Sequence, residues 1–245
     1  MIEVKNLQKK CGGASVASGV DFKLVNGAIY GVFDVRDPDR HAFLALLSGA
    51  LLPDDGHVRI NGFDTKKEPQ RVSRSVGYVP KRLTPYPDLT PEEFLSLIAE
   101  ARNLEFEEGM RQVNTRLDDA ELRGKKRSLC THLSAAESKR LCLAAALIGS
   151  PEILILDGIA DGLDQRDADR ILDRICALAP EKTVFLGSSD PTLLCDACDR
   201  ILVLSSGKLI GIYAPDDELL LRYCQEASVA PDDANGVVDG NDDET

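Results

Sequence analysis

The chain has 245 residues, 43% of them hydrophobic and 29% charged, which is the composition of a folded globular protein that needs no disulfides. Its 41 acidic and 29 basic residues give a formal net charge of -12, the wrong sign for binding nucleic acid. The longest nearly apolar stretch, residues 42–52, is too short to cross a bilayer, and no leader-like segment opens the chain. We therefore expect a soluble cytosolic protein without a nucleic-acid partner.

The first part of the chain predicts an antiparallel β meander. Short runs rich in β-branched residues predict strands over residues 2–7, 20–24 and 58–60. Asn-Gly pairs at 26–27 and 61–62 predict the tight turns, because both residue types accept the backbone conformation that such turns require.

Apolar strands alternate with helical patterns through most of the remaining chain. The predicted buried strands are residues 29–33, 75–79, 153–156, 183–187 and 201–204. The predicted helices are residues 40–51, 167–178 and 192–198. This alternation predicts an α/β fold with a central, mostly parallel sheet.

The strand signal disappears between about residues 90 and 150, where helical patterns dominate. Thr90 is placed to cap a helix, Pro91 suits the first helical position, and Glu93 completes a capping box. We expect this region to be a helical subdomain inserted in the sheet domain.

The C-terminal stretch, residues 228–245, contains six acidic residues and no basic one. Its few apolar side chains cannot offset the entropy lost on ordering. The sequence thus predicts one domain over residues 1–227 and a disordered acidic tail over residues 228–245.

Seven cysteines make an odd set, which favours reduced thiols over a disulfide framework. Cys195 and Cys198 form a single CxxC pair without a second ligand pair or a nearby His. We interpret them as small thiols on a helix rather than as a metal or redox site.

The junction after the strand at 29–33 is where a phosphate-binding loop, G-x-x-x-x-G-K-[ST], would lie. Residues 34–41 there read DVRDPDRH, so every defining residue is replaced. Asp34 and Asp39 stand in place of the glycines, Pro38 removes a backbone donor, and Arg40 and His41 occupy the Lys and Ser/Thr positions. We expect this loop to repel ATP in its usual pose.

The same residues also make a strong helix start. Asp37 suits the N-cap, Pro38 the first helical position and Asp39 the first turn, where carboxylates face the positive end of the helix dipole. The protein would then supply its own anion where a nucleotide would otherwise bind.

Several longer segments resemble the ATP-binding subunit of an ABC transporter over nearly all of residues 1–215. They are SGALLPDDGHVRING (48–62), VGYVPK (76–81), YPDLT (86–90), LCLAAALIGSPEILILD (141–157) and CDRILVL (198–204). The resemblance implies the ABC-type fold of P-loop NTPases, which is α/β with an N-terminal antiparallel β meander and an inserted helical subdomain.

The resemblance also assigns the family's nucleotide contacts to positions that have lost them. Cys11 falls where an aromatic side chain would stack on adenine, and Lys81 falls at the Q-loop glutamine. Asp157 keeps the Walker B carboxylate. Gly158 replaces the general-base glutamate and Ser189 replaces the switch histidine, so no catalytic residue is predicted.

The signature LSGGQ is altered in a similar way. Ser134 is kept, Ala135 and Ala136 replace the two glycines, and Glu137 replaces the final glutamine. In the family this segment faces the phosphate loop of a second subunit, so Ser134 is placed to contact ATP held by a partner, and the other three replacements disfavour that contact.

Together these positions predict a non-hydrolytic structural or regulatory subunit, without cofactor or metal, that docks on an integral-membrane permease at its cytoplasmic face. It would form a homodimer or heterodimer with another ABC subunit, which could be an active one. Two alternatives stay open. One is a weak or slow ATPase that uses Arg40 as the phosphate cation and Asp157 to hold the Mg²⁺ of Mg-ATP. The other is a soluble regulator that binds partners through its acidic tail.

Overall fold

The computed structural model describes residues 1–34 and 37–229, with the backbone alone described for residues 37–39 and 224–229. The strands within these residues are β1 (Ile2–Cys11), β2 (Ala14–Leu24), β3 (Ile29–Asp34), β4 (Asp55–Ile60), β5 (Phe63–Asp64), β6 (Val76–Val79), β7 (Ile153–Asp157), β8 (Thr183–Gly187), β9 (Arg200–Ser205) and β10 (Lys208–Tyr213). The α-helices are α1 (Asp37–Ser48), α2 (Pro69–Ser75), α3 (Pro91–Ala101), α4 (Phe106–Asp119), α5 (Ala135–Leu147), α6 (Gln165–Leu178), α7 (Pro191–Ala197) and α8 (Glu218–Val229).

The strands form two sheets. An antiparallel sheet has the order β2-β1-β4-β5, and a six-stranded sheet has the order β10-β9-β3-β8-β7-β6. All neighbours in the second sheet are parallel except β10, which pairs antiparallel with β9. The predicted α/β class, the mostly parallel sheet and the N-terminal antiparallel strands are thus confirmed.

Alternate residues of the central strands enter different cores. Ile153 and Ile155 of β7 join a cluster in which α1 packs between the two sheets. Leu154 and Leu156 join a second cluster on the opposite face, together with apolar residues of α5 through α8. Both faces are buried because side chains alternate along a strand, which explains why β7 is apolar throughout.

Helices α3, α4 and α5 surround a third buried cluster. The predicted capping box begins α3: Thr90 Oγ1 accepts from the N–H of Glu93, and Glu93 Oε2 accepts from the N–H of Thr90 at 2.8 Å. Helix α5 joins this cluster to the large sheet, since a Cβ on Gly77 of β6 would lie 2.2 Å from the Ala146 carbonyl oxygen. The boundaries of the helical subdomain at residues 90 and 150 stay a prediction.

Several boundaries differ from the sequence-based expectations: β1 extends to Cys11, β2 begins at Ala14 and β4 begins at Asp55. Ser75 is the last residue of α2 rather than the first of a strand, and α1 ends at Ser48 rather than at Leu51. There the N–H of Leu51 bonds back to the carbonyl of Ala45, a contact typical of helix ends. Helix α8 extends to Val229, two residues into the predicted tail, and residues 230–245 lie outside the described part.

None of the helices in the described ranges is long and apolar enough to span a membrane. The six cysteines whose side chains are described are all free thiols.

Candidate functional site

The carboxyl ends of β3, β8 and β7 lie side by side, because these strands are parallel neighbours. In open α/β sheets ligands bind at this edge. Asp34 ends β3, Asp157 ends β7, and Ser188 follows β8. Two carboxylates, 4% and 1% exposed, therefore lie at the edge where a substrate is expected.

Arg40, in the first part of α1, is completely buried. Its Nε lies 3.5 Å from Asp157 Oδ1, and its Nη2 lies 3.8 Å from Asp161 Oδ2. A buried guanidinium is tolerated only where opposite charges compensate it. The carboxylates of Asp157 and Asp161 serve that purpose here.

The second oxygen of Asp157 faces His41. The distance from His41 Nδ1 to Asp157 Oδ2 is 2.6 Å, and the imidazole is about one quarter exposed. At this distance the imidazole and the carboxylate are hydrogen-bonded. Each oxygen of Asp157 thus faces a cationic or hydrogen-bonding group of α1.

The loop after β7 is tied to its neighbours through polar contacts. Ser188 Oγ donates to Asp161 Oδ1 at 2.8 Å, and the N–H of Gly158 donates to the Gly187 carbonyl at 2.8 Å. Lys139 Nζ, from α5, donates to the Gly158 carbonyl at 2.7 Å. These bonds fix Asp161 and Gly158 relative to both the sheet and the helical cluster.

Gly158 has φ = +62°, a conformation that side-chain-bearing residues rarely adopt. A Cβ built there would lie 2.8 Å from Asp161 Oδ2 and 3.5 Å from Lys81 Cγ. The backbone conformation at position 158 therefore disfavours any residue that carries a side chain.

The fold brings Arg40, His41, Asp157, Gly158 and Lys81 close together; their role as one site stays a prediction. The Asp34 side chain is buried at the end of β3. Helix α1 begins at Asp37, the residue predicted as its N-cap and three residues before the predicted helix 40–51; the side chains of Asp37 and Asp39 lie outside the described residues. Cys11 is exposed at the end of β1, and Ser189 is exposed after β8; neither bonds to the cluster.

The altered signature residues form a helix cap. Ser134 Oγ accepts from the N–H of Glu137 at 3.2 Å, and Glu137 Oε2 accepts from the N–H of Ser134 at 2.9 Å. Glu137 also forms an ion pair with Lys125 at 2.7 Å. Ala135 and Ala136 are the first two residues of α5, where their methyl groups favour the helix.

Three members of the cluster were missed as site residues in the sequence. Asp161 lies four residues after Asp157, a spacing that could have suggested a second carboxylate at the same edge. Ser188 follows a buried strand, which weakly indicated a polar side chain at the same edge of the sheet. Lys139 carried none, since its contact depends on how α5 crosses the sheet.

A groove of about 780 Å³ lies between the large sheet and the helical cluster. It is lined by α2, β6, α3 and α5 and by the loop after β6. Arg102 crosses it, donating from Nη1 to the Ser73 carbonyl at 3.2 Å and from Nη2 to the Val76 carbonyl at 3.0 Å. Burial lowers the pKa of Arg102 from its ordinary value.

Among the described residues, no group of three or more His, Cys, Asp and Glu side chains is arranged to hold a metal ion.

Comparison with known proteins gives consistent matches. Residues 42–160 match the family model described as ABC transporter. The chain is 25% identical over 218 residues to the linearmycin resistance ATP-binding protein LnrL of Bacillus subtilis, covering 89% of this chain and 70% of that protein. It is 28% identical over 215 residues to the Nod factor export ATP-binding protein I of Paraburkholderia xenovorans, covering 87% and 71%.

Solved structures agree with the fold. An ATP-binding cassette dimer in a post-hydrolysis state with ADP and Pi matches with a TM-score of 0.78 at 22% identity, covering 89% of this chain and 100% of that one. The ATP-binding subunit of an ABC transporter matches with a TM-score of 0.79 at 23% identity, covering 94% and 98%.

Proposed function

The chain belongs to the ABC transporter family of ATP-binding subunits, and from this premise we propose that it is a non-hydrolytic member with a structural or regulatory role. The observation that carries the proposal is the burial of Arg40 between Asp157 and Asp161. A cation held in this way serves the protein's own carboxylates rather than a phosphate.

The described residues do not fit Mg-ATP. A carboxylate about 5 Å from a phosphate charge costs on the order of 3 kcal/mol at an effective dielectric constant of 20. Mg²⁺ needs accessible oxygens and keeps several waters, whereas Asp157 is 1% exposed and both its oxygens face α1. We therefore derive no hydrolytic step for this chain.

The general-base position supports the same reading. Gly158 has no side chain that could accept a proton. Its positive φ and the nearby Asp161 Oδ2 also leave little room for a glutamate side chain there. Ser189, at the switch position, offers a hydroxyl in place of an imidazole.

Residues 133–137 also support a structural role. The oxygen of Ser134 and the carboxylate of Glu137 complete the cap of α5, and Lys125 holds that carboxylate in place. A subunit paired with this chain would therefore have to carry its own catalytic groups. We propose a homodimer or heterodimer with another ABC subunit.

The permease partner is inferred from the family and from the groove. One of the two relatives described above is named for resistance and the other for export, and both are named as ATP-binding proteins. The groove has a partly apolar lining at the junction of two cores, which suits a helix inserted from a membrane-bound partner. We accordingly place the chain on the cytoplasmic face of the membrane.

Equilibrium binding of a fluorescent ATP analogue, with and without Mg²⁺ and up to millimolar nucleotide, tests the proposal. We expect no saturable binding and no rise in melting temperature, whereas a nucleotide-binding relative measured in parallel should show both. Micromolar binding that unlabelled ATP displaces would favour the slow ATPase instead.

A further inference from the structure

The groove has a charge that contrasts with the rest of the molecule. In a chain of net charge -12, the charged members of its described lining are Arg74 and Arg102, with no acidic residue among them. Arg102 donates to backbone carbonyls, and neither arginine forms an ion pair with the described residues. The groove therefore carries positive charge that no described carboxylate compensates.

The floor beneath these two arginines is apolar. Its accessible apolar surface comes from Tyr86, which is 57% exposed, and from Leu83 and Ile98, which are half-buried. An occupant thus needs small apolar side chains for the floor and carboxylates for the arginines.

The chain itself contains a segment with this composition. Residues 230–245 read APDDANGVVDGNDDET, with six acidic residues and no basic one. The only adjacent pair of β-branched apolar residues, Val237 and Val238, stands between Asp233 and Asp239. The segment therefore places apolar side chains between carboxylates.

The segment is also long enough to reach the groove. Leu220 of α8 belongs to the same buried cluster as Ala146, so α8 packs on the face of the sheet that carries α5. Five strand spacings make that sheet about 24 Å wide. Sixteen extended residues after Val229 span up to about 50 Å.

We propose that, in the unassembled subunit, residues 230–245 bind in this groove, with Val237 and Val238 on the apolar floor and the flanking aspartates against Arg74 and Arg102. Bound there, the segment excludes any other occupant from the groove. That this occupant is a permease helix rests on the proposed function; the binding of residues 230–245 does not.

Hydrogen exchange on the full chain tests this proposal. Backbone amides of residues 69–76 and 98–103 are compared between the wild type and a variant with all six acidic residues of 230–245 changed to Asn or Gln. We expect exchange there to be about fivefold faster in the variant at low salt, and the difference to vanish at high salt. Equal rates in the two proteins at low salt would overturn the proposal.

Two arginine variants serve as a matched pair. Arg74→Glu should accelerate exchange in the same amides as the six-residue variant does. Arg166→Glu, an exposed arginine of α6 outside the groove lining, should not. Equal effects from the two arginines would mean a response to overall charge, which also overturns the proposal.

A photo-crosslinking residue at position 238 identifies the occupant. Crosslinks to α2 or α3 within one chain support the proposal. Crosslinks only between isotopically distinct chains would assign the groove to a second copy, and crosslinks scattered over the surface would leave the segment without a site. Neither result depends on nucleotide binding, so failure here is distinguishable from failure of the proposed function.

Discussion

Asp157 contacts two residues of α1. Its two oxygens face Arg40 and His41, and it is almost fully buried. The sequence placed Arg40, His41 and Asp157 in one site because their motifs have fixed spacing. The sequence did not indicate that Arg40 turns inward to Asp157 and Asp161, because that contact depends on the packing of α1 against the ends of β7 and β8.

The Asp157→Asn substitution should destabilise the protein strongly. It removes the closer of the two carboxylates that face the buried Arg40 guanidinium in the described residues, and breaking a buried ion pair costs about 3–5 kcal/mol. Urea denaturation monitored by circular dichroism measures the free energy of unfolding. Asp161→Asn is the control and should cost less, because that side chain is 20% exposed and lies 3.8 Å from Arg40. Equal losses from the two substitutions would contradict this account of the cluster.

Restoring the glutamate at position 158 should not restore hydrolysis. Gly158→Glu forces a side chain into a left-handed conformation with its Cβ 2.8 Å from Asp161 Oδ2, which we expect to cost about 1–3 kcal/mol. Phosphate release and urea denaturation are the measurements. Gly162→Ala separates backbone strain from the steric contact, since Gly162 has φ = +75° but no neighbour within 4 Å of the added carbon. A stable Gly158→Glu protein that releases phosphate would refute the proposed function.

At the scale of elements, hydrophobic patterns located the central strands within a few residues. Burial on both faces makes β7 and β8 apolar throughout, so their sequences identify them directly. Helices α2 and α8 and strands β5 and β10 were not predicted. Helix α2 has seven residues with one buried side chain, Val72, and therefore lacks a periodic apolar face.

Helix α5 begins with a cap that sequence reasoning had treated as a damaged binding motif. Ser134→Ala removes the oxygen that accepts from the N–H of Glu137, and we expect a loss of about 1 kcal/mol in the free energy of unfolding. Glu137→Gln should cost less, because glutamine keeps the reciprocal bond and loses only the ion pair with Lys125. Thr90→Ala, in the equivalent box of α3, is the positive control. Unchanged stability in Ser134→Ala alone would show that the box of α5 contributes little.

The fold of the whole molecule was predictable because local patterns and longer motifs agreed on one topology. The groove was not, because its lining combines residues between 48 and 103 with Ala145 and Ala146 of α5, which are distant in sequence. Its charge follows only from the three-dimensional neighbourhood of Arg74 and Arg102.

The acid limit of stability is set by carboxylates that bond in the folded state. Hydrogen bonds from Thr90 lower the pKa of Glu93, and those from Arg111 lower the pKa of Glu108, both below the ordinary 4.5. A lowered pKa stabilises the folded state above the ordinary value, and this contribution is lost as pH falls through the folded value. We expect urea midpoints to be flat near neutrality and to decrease below about pH 5. Glu108→Gln should weaken that decrease, and an unchanged acid limb in this variant would exclude Glu108 as a contributor.

The alkaline limit follows from buried neutral groups. Burial raises the pKa of Cys142 to about 12 and also raises that of Cys198, whereas an unfolded thiol ionises near its ordinary 9.0. Ionisation of the unfolded chain should therefore reduce the urea midpoint above pH 9. Cys142→Ala should flatten the alkaline limb and leave the acid limb unchanged; an unaltered alkaline slope would argue against this assignment.

The buried contact between Arg40 and Asp157 also restricts how this protein can change. Replacing Arg40 alone leaves a buried carboxylate beside His41, and replacing Asp157 alone leaves a buried guanidinium. Each single exchange at these two positions therefore gives a less stable protein, whereas exchanging both for apolar residues of similar volume removes the buried charges together. Selection that accepts only single substitutions is therefore expected to retain both residues. Libraries that vary both positions together should yield stable variants without this ion pair.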